Sequence, residues 1–110
     1  MKPLSWAAGI IEGEGCLNFY KDKRSNHHAT RIVVEMTDLD IIKSLQETLG
    51  GKYVECNSPS QVGKKKSWRW YVNKQKDVFD VLLGIMPYLG ERRLLKAKEI
   101  FNYLEPKVVT

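Results

Sequence analysis

Residues 6–15 read Trp6-Ala7-Ala8-Gly9-Ile10-Ile11-Glu12-Gly13-Glu14-Gly15, a run of small and apolar residues that ends in two carboxylates. Pro3 suits the first turn of a helix, and Leu4, Ala7, Ala8 and Ile11 carry an apolar stripe to about Gly13. Gly9 and Gly13 are four residues apart, so they share one helical face and leave a groove without side chains. A second helix can approach such a groove until the backbones nearly touch. Glu14 follows at the helix end, where the helix dipole disfavours a negative charge. Two copies packed through this face would set two Glu14 side chains together, and carboxylates paired in that way hold a divalent metal.

Outward from this helix the chain alternates. In residues 16–23, Leu17 and Phe19 point one way while Asn18, Tyr20 and Asp22 point the other, as in a half-buried strand. Lys23-Arg24-Ser25-Asn26 reads as a polar turn, and residues 31–37 as a second strand with Ile32, Val34 and Met36 on the core side. Thr37 or Asp38 is placed to cap a helix whose stripe is Ile41, Ile42, Leu45 and Leu49, closed by Gly50-Gly51. A third strand covers about 52–57, and residues 57–66 form a loop rich in Ser, Gly and Lys. Trp68, Trp70 and Val72 share the parity of a fourth strand, which makes core packing the natural role of both tryptophans. Helices over 77–85 and 91–104, split by the Pro87-Tyr88-Leu89-Gly90 corner, complete an αββαββα order with a terminal helix.

This is an α+β pattern: four antiparallel strands backed by helices, with one sheet face uncovered. The residues expected on that face are Asn18, Tyr20, Asp22, Arg24, Arg31, Glu35, Glu55, Asn57, Arg69 and Tyr71. A ribbon of this width fits a DNA major groove. Lys64-Lys65-Lys66 reads either as a solvated turn or as a phosphate contact, and His28 as a loop residue touching DNA.

At 110 residues the chain is expected to be one domain, residues 1–110, and the start at Met1 so near the helix suggests a complete small protein. Hydrophobic residues at 43% and charged ones at 28% exclude a disordered chain. The net charge of +5 suits a polyanion partner without requiring one. Cys16 and Cys56 make neither a disulfide framework nor a closed zinc site, and no apolar run reaches membrane-spanning length. A soluble protein of the bacterial, phage-infected or organellar interior is the expectation, with no membrane partner. Gly13-Glu14-Gly15 is not a phosphate loop, since it lacks the Lys-Ser/Thr ending and a preceding strand.

Residues Ala7 to Gly15 resemble the nine-place signature of the LAGLIDADG homing endonucleases, with Glu at both acidic places and Ala7 where the family often has Leu. The order of elements is also similar to the family's αββαββα fold, across nearly the whole chain. The resemblance implies a single-motif protein that dimerises through Ala8, Gly9, Glu12 and Gly13, with Glu12 tying up groups near the helix end. It implies Glu14 as metal ligand, aided by the Gly13 carbonyl. It also implies Asp38 near an attacking water, against its bland reading as a helix cap, and Arg92 as the basic residue that stabilises charge on phosphate, with Arg93 as the register alternative.

The implied activity is a Mg²⁺-dependent double-strand cut at a long, roughly palindromic DNA site, with Mn²⁺ substituting and Ca²⁺ supporting binding alone. The alternative within the same family is a regulator that binds DNA without cutting, or a maturase that binds intron RNA. A blander third reading is a basic interaction domain whose glycine helix serves only as a dimer contact.

Overall fold

Period-two alternation builds the sheet, and period-three-to-four stripes build the helices that cover one side of it. The computed structural model describes residues 1–21, 23–24, 27–56 and 66–109. Its elements are α1 (Leu4–Glu14), β1 (Gly15–Lys21), β2 (His28–Met36), α2 (Leu39–Leu49), β3 (Lys52–Cys56), β4 (Ser67–Val72), α3 (Gln75–Ile85), a 3₁₀ turn (Met86–Tyr88) and α4 (Glu91–Val108). The strands form one antiparallel sheet in the order β1-β2-β4-β3, so β2 and β4 are central and β3 is an edge. The α+β architecture expected from the sequence is the one observed.

Leu17, Ile32, Val34, Trp70 and Val72 point from the sheet into the core. They meet Ala7, Ala8 and Ile11 of α1, Ile42 and Leu45 of α2, and the apolar stripes of α3 and α4. The indole of Trp70 is fully buried, and its Nε1 donates to the Gly50 carbonyl at 2.8 Å, which answers the one polar atom it carries inward. Trp68 packs half-buried at the edge of the same core. Both tryptophans thus serve packing.

Two elements run longer than their sequence signals. β2 begins at His28, three residues before the apolar run, because His28 and Thr30 continue the inward parity of Ile32. α4 continues through Pro106 to Val108, whose side chain packs half-buried against the core. The tertiary contact holds the last turn in place of the missing proline donor.

Candidate functional site

The end of α1 is organised around its two glutamates, which behave oppositely. Glu12 turns toward the start of α4. Its Oε1 accepts a hydrogen bond from the Gly90 backbone N–H, and its Oε2 lies 2.9 Å from Arg93 Nε. Arg93 also donates from Nε to the Glu12 carbonyl at 2.8 Å and from Nη1 to the Gly15 carbonyl at 2.7 Å. A guanidinium thus closes carbonyls at the C-terminus of a helix, the end where a cation is favoured. Glycine is demanded at position 15 by backbone, while at position 90 it leaves room for the Glu12 carboxylate. A Cβ at Gly90 would meet Glu12 Oε1 at 2.8 Å, and one at Gly15 would meet the Ile11 carbonyl oxygen at 2.7 Å.

Glu14, two residues on, is exposed and makes no hydrogen bond or ion pair among the described residues. Gly9 and Gly13 are exposed as well, and a Cβ added at either meets nothing within 4 Å. A bare strip of backbone therefore runs along α1 to an unpartnered carboxylate. Ala8 does not belong to that strip. At 100° per residue it sits beside Ala7 and Ile11, and it is fully buried inside its own chain, which corrects its expected place at a dimer contact. Glu12 is likewise withdrawn from that contact by its bonds to α4.

Asp38 and Arg92 stand at the same end of the sheet as Glu14. β1 begins at Gly15, opposite Val34, and β2 ends two residues before Asp38. Asp38 occupies the cap position of α2, yet its side chain makes no cap hydrogen bond; only its carbonyl accepts, from Ile41 and Ile42. Arg92 is exposed on the first turn of α4, beside the engaged Arg93. It lines a cavity of about 650 Å³ with Glu12, Cys16, Arg93, Lys96 and Glu99. Of the two register alternatives, Arg93 is structural and Arg92 is the available one. Among the described residues no three His, Cys, Asp or Glu side chains gather into a metal site.

The uncovered sheet face carries Asn18 and Tyr20 from β1, Arg31 and Glu35 from β2, and Arg69 and Tyr71 from β4, as expected. Arg24 lies exposed in the turn after β1. Asp22, Asn57, Lys64 and Lys65 lie outside the described residues; Lys66 pairs with Glu55 at 3.4 Å.

Two expected members of this face are corrected. Glu55 pairs with Trp68, and Tyr53 with Trp70, so both belong to the helix-covered side, while Lys52, Val54 and Cys56 turn to the open one. Val54 before Glu55 suggested the opposite parity. On a five-residue edge strand a carboxylate reaches solvent from either face, so polarity does not set the register there. His28 is the other. It shares the inner parity, stacks on Phe19 with ring centroids 4.7 Å apart, and donates its backbone N–H to Tyr103 Oη at 2.8 Å. It lies beneath α4, away from the open face.

On the two inner strands of the open face, Glu35 and Arg69 are directly opposed, with Arg69 Nη2 2.8 Å from Glu35 Oε1. Cys56 Sγ lies 3.7 Å from the same oxygen. Burial, then the Glu35 charge, pushes the Cys56 thiol above its ordinary value, with Arg69 pulling the other way.

Residues 7–107 match the family model described as LAGLIDADG endonuclease. The chain belongs to the LAGLIDADG endonuclease family. Solved structures agree in fold. The chain superposes on the homing endonuclease I-CvuI, crystallised with its target in 2 mM Ca, with a TM-score of 0.75 and 19% identity over 93% of this chain and 65% of that one. The archaeal intron-encoded homing endonuclease I-Vdi141I, complexed with DNA, gives 0.69 and 17%, covering 92% and 67%. The group I intron-encoded homing endonuclease I-CeuI, also complexed with DNA, gives 0.74 and 15%, covering 93% and 53%. At such identities the likeness is one of fold, and this LAGLIDADG chain spans 65% of the length of I-CvuI. No curated protein matches it in sequence. No helix among the described residues is long and apolar enough to cross a membrane.

Proposed function

We propose that the protein is a site-specific homing endonuclease that works as a homodimer and cuts both strands of a long, roughly palindromic DNA target. The observation that carries this reading is Glu14: an unpartnered carboxylate at the end of an open glycine strip, in a LAGLIDADG endonuclease chain. A second copy laid against Gly9 and Gly13 brings its own Glu14 beside the first and supplies the acidic partner that one chain lacks.

The donor set fits a hard divalent cation, because carboxylate oxygens, the Gly13 carbonyl and scissile phosphates are the ligands such ions take. I-CvuI has been crystallised with DNA in Ca and, with the DNA not cleaved, in Mg, which supports a divalent ion at this site. Mg²⁺ is the ion proposed to support cutting, with Mn²⁺ substituting and Ca²⁺ permitting binding alone. When bound, the ion supplies charge stabilisation at phosphate and acidifies water.

The chain's own residues do the rest. The Asp38 carboxylate, unused as a cap, accepts a hydrogen bond from the attacking water and orients it in line with the phosphorus. The Arg92 guanidinium faces the negative charge that builds on the phosphate oxygens as the new P–O bond forms. Arg93 and Glu12 hold the α1 end and the α4 start in fixed relation, so Glu14 and Arg92 keep their spacing. The open sheet lies in the major groove through Asn18, Tyr20, Arg31, Arg69 and Tyr71, with Lys52 at the edge.

Incubation of the protein with a randomised duplex library in Mg²⁺, followed by sequencing of cut ends, tests this directly. Both strands should be cut at related sites with short 3′ overhangs. Capture of DNA in Ca²⁺ with no product in Mg²⁺ or Mn²⁺ at any site would overturn the nuclease reading and favour a regulator. Preferential capture of structured RNA would favour a maturase.

A further inference from the structure

The geometry points to Glu35 and Arg69 as a single base reader, in which Glu35 holds Arg69 so that its outer edge takes guanine in the major groove. This rests on the DNA-binding reading above and specifies which base one part of the sheet selects. The two residues are directly opposed on the central strands β2 and β4. Glu35 Oε1 accepts from Arg69 Nε at 3.2 Å and from Nη2 at 2.8 Å, so it grips the inner edge of the guanidinium. Nη1 and the second Nη2 hydrogen point elsewhere. Each side chain remains more than 40% exposed, Arg69 43% and Glu35 44%, so the outer edge is reachable from the groove.

Three readings compete for an arginine on such a face: phosphate contact, base contact and plain surface pairing. The pair is close to neutral, so it adds little to the attraction of a polyanion, and it lies on the two inner strands rather than on the edge strands β1 and β3. What Glu35 does supply is orientation. A long, flexible side chain is held with two donors side by side, and guanine alone offers the matching pair of acceptors, O6 and N7, in the major groove. Among the described residues, Val54 lies next to Arg69 in register on β3 and Cys56 touches Glu35, so neither of these neighbours is a cation. The other arginine known on the open strands, Arg31, is opposite Asn18 and carries no such carboxylate.

The pair makes a prediction that a purely structural ion pair does not. Binding of a randomised duplex library in Ca²⁺ is compared for the wild type, Arg69→Ala, Arg69→Lys and Glu35→Ala. The wild type should show a guanine preference at one position of each bound half, reduced roughly ten- to a hundredfold in Arg69→Ala. Arg69→Lys, which keeps the charge and loses the fork, should lose the preference too. Glu35→Ala should relax it while raising affinity for unrelated DNA, since a negative charge leaves the face.

A guanine preference unchanged in Arg69→Ala overturns the proposal. So does a uniform loss of affinity for all sequences with the salt slope lower by about one, which marks a phosphate contact. Absence of any DNA binding by the wild type overturns the parent reading as well. Thermal melts of the variants separate misfolding from lost readout, and a wild-type library with no Arg69-dependent position counts against the pair whatever the variants do.

Discussion

Glu12 and Glu14 are two residues apart on one helix end, yet one is bonded to another helix and the other is open. Glu12 is gripped by Gly90 and Arg93, in a joint where the Ile11 backbone demands glycine at position 15. Glu14 has no partner among the described residues and adjoins a strip where even a methyl group would touch nothing. Since 100° separates successive residues, two positions place the side chains on different sides of the helix. The lesson is that the same chemical group can be structural or available according to face alone. A helix end that would repel a second anion is made tolerable by the Arg93 cation at its carbonyls.

The largest effect expected from breaking this contrast is at Glu14. Glu14→Gln should lower the proposed cleavage about a thousandfold, because it removes a charged oxygen ligand, while the melting temperature stays within a degree or so. Single-turnover cleavage and a thermal melt on the same preparation check both halves. Next comes the bare strip. Gly13→Leu should weaken self-association about ten- to a hundredfold by overpacking the proposed contact, with the fold intact, as read by sedimentation across a concentration series.

The closed side gives a smaller effect, and of another kind. Arg93→Ala leaves Glu12 and two carbonyls without their donor and should cost about 2 kcal/mol of stability, since Arg93 is 27% exposed and the interactions are partly screened. Urea denaturation measures it; a loss below a few tenths would mean that the joint holds nothing. The smallest change is Gly9→Ala, which should raise monomer stability by under about 1 kcal/mol through helix propensity while impairing association. A substitution that stabilises the chain and disables the assembly would sharpen the contrast most cleanly.

The sequence made the architecture legible where two signals agreed. In β1, β2 and β4 the alternation of Leu17, Ile32, Val34, Trp70 and Val72 with polar neighbours fixed both strand identity and face. It failed where one signal stood alone. β3 has five residues and a single neighbour, so Val54 and Glu55 exchanged their expected sides once pairing with β4 set the register. His28 reads from sequence as a loop residue, because its partners Phe19 and Tyr103 are supplied from nine residues upstream and from the last helix.

Ala8 illustrates a different limit. Motif spacing groups it with Gly9 and Gly13, but helical geometry puts its methyl in the core. The engagement of Arg93, and with it the availability of Arg92, depends on contacts 78 to 81 residues apart in sequence. No local pattern encodes a contact of that span.

That span also bears on synthesis. A ribosome makes the acidic tip early and the Gly90–Arg93 joint late, so the carbonyls at the end of α1 are clasped only once the start of α4 has emerged, after α1 has met β2, α2 and α3. Shorter nascent chains would carry Glu12 without its clasp, and the tip of α1 would take its final setting only when the start of α4 reaches it.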